Sequence, residues 1–152
     1  MALPNSLFHI GDKVEVCSKQ EGFVGSFFEA TILGWVGNSR YGVRYKNLVT
    51  ENDPNKKLKE IVTADEVRPP PPRTRASTFS LLQMVDAFDD DGWWVGCVSG
   101  KRGSNRYQVY FELYGVEITY PASQLRPHQD WYNGQWVLPV TSSQEEDDGG
   151  QS

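Results

Sequence analysis

The chain has 152 residues, enough for one medium domain or two small ones, and its 38% hydrophobic content with abundant Trp, Tyr and Phe is that of a globular protein. The net charge is −5, but residues 1–72 carry nine basic and nine acidic side chains, residues 73–141 six and seven, and Gln144-Glu-Glu-Asp-Asp supplies the remaining four negative charges. A nearly neutral body speaks against nucleic acid as the partner, because phosphate binding needs a basic surface, and the short apolar runs and the Met-Ala-Leu-Pro-Asn start speak against a membrane span or a signal peptide.

In chain order, Val14 and Val16, then Phe28, Ala30 and Ile32, then Tyr41, Val43 and Tyr45 alternate with polar or differently facing neighbours, and Gly, Asn and Ser clusters separate them. Period-two alternation between turn residues predicts short β-strands. Four strands are expected in this stretch, with Val62 or Val67 closing the last. Pro69-Pro-Pro-Pro-Arg-Thr-Arg follows, a stiff extended linker because four prolines fix the backbone and remove donors. The pattern then returns: Val85 and Ala87, then Trp94, Gly96 and Val98, then Tyr107, Val109 and Phe111, then Ile118 with Leu125.

The return is an internal repeat. Phe28-Glu-Ala-Thr-Ile aligns with Trp94-Val-Gly-Cys-Val at an offset of 66, and the same offset carries Arg40-Tyr-Gly-Val-Arg-Tyr onto Arg106-Tyr-Gln-Val-Tyr-Phe. Val14-Glu-Val maps onto Val85-Asp-Ala at 71, and Ala64-Asp-Glu-Val-Arg-Pro onto Ala122-Ser-Gln-Leu-Arg-Pro at 58, so the second copy is shorter in two connections. Copies of about 60 residues bury a marginal core, which a strongly bent, self-closing sheet makes the most of. The expected organisation is two small all-β barrels, residues 1–70 and 71–140, with an acidic, disordered tail at 141–152. Trp131 and Trp136 are assigned to packing between the barrels, and Tyr41 and Tyr107 to the cores.

Catalysis finds no support in the residues. His9 and His128 have no zinc-ligand spacing, no Ser or Cys lies in a nucleophile elbow, and Gly100-Lys-Arg-Gly-Ser-Asn-Arg lacks phosphate-loop spacing and reads as a hairpin turn. Cys17 and Cys97 are too few for a structural zinc and are expected reduced. The expectation is a binding protein with no metal and no cofactor.

Phe8-His-Ile-Gly-Asp-Lys-Val-Glu-Val, Gly22-Phe-Val-Gly-Ser-Phe-Phe-Glu-Ala-Thr-Ile-Leu, Tyr41-Gly-Val-Arg-Tyr and Val67-Arg-Pro-Pro-Pro resemble a plant Agenet domain, a branch of the Tudor-like superfamily. Asp86-Ala-Phe, Gly92-Trp-Trp-Val-Gly, Val109-Tyr-Phe and Leu125-Arg-Pro-His-Gln-Asp-Trp are similar to the second member of a tandem pair, so the resemblance runs from residue 8 to about 138. It implies two bent five-stranded barrels, nuclear chromatin localisation and binding of peptides, often methylated histone tails. Among the marks, it favours histone three and a repressive, heterochromatin-type mark, with other chromatin proteins as further partners.

A methylated ammonium keeps its charge but loses hydration and donors, so a box of aromatic faces with a carboxylate in its wall receives it best. Parity places Trp94 on the inward face at a strand entrance, Phe111 at the end of the next strand and Tyr114 in the following turn, matching the positions of Tudor-like cage aromatics. Asp89 is the expected carboxylate. Phe88 completes the wall if the strand end bulges. Asp90, Asp91, Glu112 and Glu117 are expected to line a groove for the basic peptide, worth about 0–1 kcal/mol per exposed ion pair. The first copy offers Phe28 and Tyr45 as a second candidate cage, but Ser18 and Leu48 stand where further walls are needed. Two readings remain beside this one: an unmodified protein docked in a groove, and nucleic acid bound by the tandem barrels.

Overall fold

The computed structural model describes residues 8–139, so the acidic stretch expected to be disordered lies outside the described residues. The fold is almost entirely antiparallel β-sheet, and among the described residues no helix is long and apolar enough to cross a membrane. The described residues form two compact units, 8–70 with 90–93 and 71–89 with 94–139.

The first unit contains β1 (Lys13–Cys17), β2 (Ser26–Gly37), β3 (Arg40–Val49), β4 (Lys57–Thr63) and β5 (Val67–Arg68). Pairing runs β4-β3-β2-β1-β5. Register shifts between Ile32 and Gly34 and between Trp35 and Gly37 break the long β2 ladder, which is how one strand turns across a bent sheet. Val14, Val16, Phe28, Ala30, Ile32, Tyr41, Val43, Tyr45, Val62 and Val67 are all buried, as the alternation predicts.

The second unit repeats the plan with β6 (Met84–Asp89), β7 (Gly92–Lys101), β8 (Arg106–Phe111), β9 (Val116–Pro121) and β10 (Leu125–Pro127), paired β9-β8-β7-β6-β10. Each copy thus has five strands where the alternation alone gave four. The extra strand is short: a 3-10 turn, Ala64–Glu66 or Ala122–Gln124, separates the fourth strand from a two- or three-residue fifth that pairs back onto the first. Ile118 departs from its expected place in the core and is 40% exposed, because β9 is an edge strand pairing only with β8.

A final hairpin, β11 (Asp130–Tyr132) with β12 (Gln135–Val137), sets Trp131 directly opposite Trp136, ring centroids 5.1 Å apart. The two rings are tilted against each other, at an interplanar angle of 55°. Asp90 and Asp91, with φ of 46° and 66°, form the two-residue turn between β6 and β7, the left-handed pair that a tight hairpin requires and that aspartate tolerates.

Burial in each unit is anchored by one internal ion pair at equivalent positions. Glu15 on β1 lies opposite Arg68 on β5, with Arg68 donating to Oε1 at 2.8 Å. Asp86 on β6 lies opposite Arg126 on β10, with Arg126 Nε donating to Oδ2 at 2.8 Å. The carboxylates are almost wholly buried, and a buried charge is tolerated only with such a partner. In the second unit His128 joins the pair, its Nδ1 2.7 Å from Asp86 and its Nε2 2.9 Å from Asp130.

Candidate functional site

The end of β6, the start of β7 and the β8–β9 turn bring four of the expected cage residues of the second unit together. Trp94 is half-buried. Its indole Nε1–H donates to the Asp89 carbonyl at 2.7 Å, which fixes the ring against the end of β6. Tyr114 stands 5.9 Å from it, centroid to centroid, at an interplanar angle of 75°, so the two rings are nearly perpendicular walls. Tyr114 is 40% exposed because it sits in the four-residue turn after β8, where Tyr114 and Gly115 N–H both donate to the Phe111 carbonyl.

Phe111 is only 5% exposed and lies in the core cluster against which Trp94 packs, so it can offer a floor and not a free-standing wall. Its ring meets Tyr120 edge-on at 6.2 Å. Gly96 is needed beside it: a Cβ there would fall 2.5 Å from Val109 Cγ1 and 3.1 Å from the Phe111 ring.

Asp89 is held from two directions. Its carbonyl takes the Trp94 indole proton, and its carboxylate Oδ2 accepts the Tyr120 phenol at 2.7 Å. Tyr120 is the residue that sequence reasoning missed. It occupies the position of Val62 in the first copy, and that change from aliphatic to phenol within the repeat was the available signal. Charge-assisted bonds of this kind orient a carboxylate firmly.

The other expected residues have surroundings of their own. Phe88 is half-buried, alternation sets it on the opposite face of β6 from Ala87 and Asp89, and its carbonyl accepts from Gln124 Nε2 at 3.1 Å. Glu117 lies opposite Tyr110 and accepts from Gln108 Nε2 at 2.9 Å, on the face of the β8–β9 ladder away from Phe111. Glu112 is exposed in the turn, where its charge, after burial itself, raises the pKa of Cys97. Asp90 and Asp91 are exposed at the β6–β7 turn.

The first copy is built differently at the same positions. Phe28 and Tyr45 are 4% and 5% exposed, edge-on at 6.4 Å, and Phe23 packs on Phe28 at 6.2 Å. Gly92, which clusters with this unit, lies so near that a Cβ on it would come 2.6 Å from the Phe28 ring. The Tyr45 hydroxyl donates to Glu60 Oε1 at 2.6 Å, and burial together with that carboxylate raises its pKa well above the usual phenol. These rings are covered and their polar ends are engaged.

Among the described residues, no group of three or more His, Cys, Asp and Glu side chains is arranged to hold a metal, and both cysteines are free thiols. Burial raises the pKa of Cys17, which keeps that thiol protonated at neutral pH.

Residues 11–72 match the model of the Agenet domain. The chain is 36% identical over 139 residues to Protein AGENET DOMAIN (AGD)-CONTAINING P1 of Arabidopsis thaliana, covering 91% of this chain and 27% of that protein. It is 37% identical to DUF724 domain-containing protein 3 of the same plant, covering 83% of this chain and 19% of the relative. The chain thus spans about a quarter or less of the length of these two relatives. Among solved structures, Arabidopsis thaliana AGDP1 AGD34 superposes with a TM-score of 0.83 at 35% identity, covering 88% of this chain and 91% of that one. The ADCP1 tandem Agenet domain 3-4 gives 0.81 at 31% identity, covering 90% and 92%.

Proposed function

Since the chain belongs to the plant Agenet family, as a tandem pair of Tudor-like barrels, we propose that it is a non-catalytic chromatin reader that binds a methylated lysine of a histone tail in the nucleus. The observation that carries the reading is the pair of nearly perpendicular rings, Trp94 and Tyr114, with Asp89, whose backbone carbonyl holds the indole and whose carboxylate is oriented by Tyr120. Two aromatic faces at right angles present negative quadrupoles to one cation from two sides, and Phe111 closes the floor. A lysine without methyl groups keeps a strong hydration shell and gains less by leaving water.

Asp89 sets the preference among methylation states. A carboxylate beside the ammonium accepts a remaining N–H, so mono- and dimethyl-lysine gain a charge-assisted hydrogen bond that trimethyl-lysine cannot make. The histone three tail and a repressive mark are the peptide and mark that the family resemblance favours. Glu112, Asp90 and Asp91 are exposed carboxylates that basic flanking residues would approach, each pair contributing about 0–1 kcal/mol.

Calorimetric titration with histone tail peptides, unmodified or carrying one, two or three methyl groups at each common lysine, tests the reading. The expected result is one mark bound at least about tenfold more tightly than its unmodified peptide, about 1.4 kcal/mol, with the preference lost in Trp94→Ala. Binding indifferent to methylation, with the variant folded, would make these aromatics structural.

A further inference from the structure

The register of the first unit assembles a basic surface that the neutral composition conceals. Lys13 lies opposite Thr31, Thr31 opposite Arg44, and Arg44 opposite Lys59, so one cross-strand row over β1, β2, β3 and β4 carries three cations on a single face. Lys46 and Lys57 flank the row, and Lys13, Arg44, Lys46 and Lys57 all line the same groove of about 410 Å³. All five cations are exposed. Of the carboxylates lining that groove, Glu29 pairs with Lys46 at 3.6 Å and Glu15 is turned to the buried Arg68, while Arg44 and Lys59 form no salt bridge with the described residues.

Like charges directly opposite on neighbouring strands destabilise a sheet, by up to about 1 kcal/mol per pair, so Arg44 against Lys59 is a local cost to the fold. The second unit, built on the same plan, has none of it. Its equivalent row is Cys97, Tyr110 and Glu117, with Met84 in the place of Lys13, and it holds no cation. The stripe is a property of one copy and not of the fold.

We propose that this face of the first unit is a binding surface for the phosphate backbone of duplex nucleic acid. The row spans three strand spacings, about 14 Å, so its three cations can reach neighbouring phosphates on one face of a duplex. No aromatic side chain belongs to the row, and Tyr45, which also lines the groove, is buried with its hydroxyl on Glu60, so the surface offers no open stacking platform of the kind that single strands use, and the contact is to phosphates without reading sequence. An acidic protein segment is the competing occupant; four exposed cations lining one groove suit the denser negative charge of a duplex backbone, one charge per about 1.7 Å of axis, better than scattered carboxylates.

The test is fluorescence anisotropy of a labelled 20-base-pair duplex, about two helical turns, with the full chain. Binding is expected at 50 mM salt and should weaken about 40- to 150-fold by 200 mM, the fall for three or four neutralised phosphates. The variant K13E/R44E/K59E should lose at least about tenfold at 50 mM salt, and the milder R44Q/K59Q should lose less while unfolding no lower than the parent, because it relieves the repulsion of Arg44 and Lys59. Absence of duplex binding at 50 mM salt, or a folded charge-reversed variant that binds as tightly as the parent, would overturn the proposal. So would a polyglutamate peptide of matched charge that binds as tightly as the duplex, which would reassign the face to an acidic protein.

Discussion

Replacing Arg68 by methionine tests the internal anchor of the first barrel. Arg68 Nε and its terminal nitrogen both donate to Glu15 Oε1, at 3.2 and 2.8 Å, and the guanidinium lies 3.5 Å above the Phe27 ring centroid. Both side chains are at least 94% buried. Arg68→Met therefore leaves the Glu15 carboxylate in the interior without its cation, a change that costs about 3–5 kcal/mol. A unit of some 70 residues has only about 4–10 kcal/mol of stability, so the first barrel becomes marginal. With a urea slope near 1 kcal/mol per molar, the midpoint should fall by about 3 M or more. The assay is urea unfolding followed by NMR intensities of Val14, Val43 and Val62 amides, with Glu15→Leu/Arg68→Met in parallel. The double variant should recover most of the loss, because the expensive species is the unpaired charge and not the missing pair. A single-variant cost below about 1 kcal/mol, or a double variant no better than the single, would refute the reasoning.

Tyr120→Phe removes the 2.7 Å bond to Asp89 while leaving ring packing in place; it should cost about 1.5–3 kcal/mol in denaturant unfolding of the second barrel and weaken selectivity for the lower methylation states in calorimetry. Gly96→Ala forces a methyl into Val109 and Phe111 and should destabilise that barrel by about 1–3 kcal/mol and lower peptide affinity, both read on the same samples. His128 titrates against Asp86 on β6, which also holds Arg126 of β10, and Asp130 on β11. Burial pulls its pKa down, but the two carboxylates outweigh burial and raise it above the ordinary value. A raised folded-state pKa adds stability below the unfolded value of about 6.5 that is lost as pH rises through the folded pKa. Thermal midpoints should therefore fall above about pH 6.5 and this slope should flatten in His128→Gln; superimposable pH profiles would contradict the assignment.

Alternation and the repeat made most of the barrel legible in the sequence. The offset of 66 that aligned Tyr41-Gly-Val with Tyr107-Gln-Val also aligns their burial, because period two leaves one inward register open to each strand. By the same rule Glu15 and Asp86, each between two inward apolar residues, belong on the outward face. They are buried because an arginine 53 or 40 positions later folds back over them, and no local pattern announces a partner at that distance. Ile118 went the other way, since only the pairing scheme reveals that its strand is an edge. The places of Trp94 at a strand entrance and Tyr114 in a turn were readable from the pattern, whereas Tyr120, which orients Asp89, sits a whole strand away. Composition concealed the basic row most completely: Lys13, Arg44 and Lys59 are scattered among an equal number of acids, and only the ladder registers bring them into line.

The central claim is that Trp94 and Tyr114 receive a methylated ammonium. The most direct measurement is an NMR titration of the isotope-labelled chain with one histone tail peptide in its dimethylated and unmodified forms, following the indole N–H signals of the five tryptophans. The account predicts that the dimethylated peptide moves the Trp94 signal, together with Tyr114 and Asp89 amides, at concentrations where the unmodified peptide leaves them in place. Equal shifts with both peptides, or methyl-dependent shifts confined to the other four indoles, would contradict it.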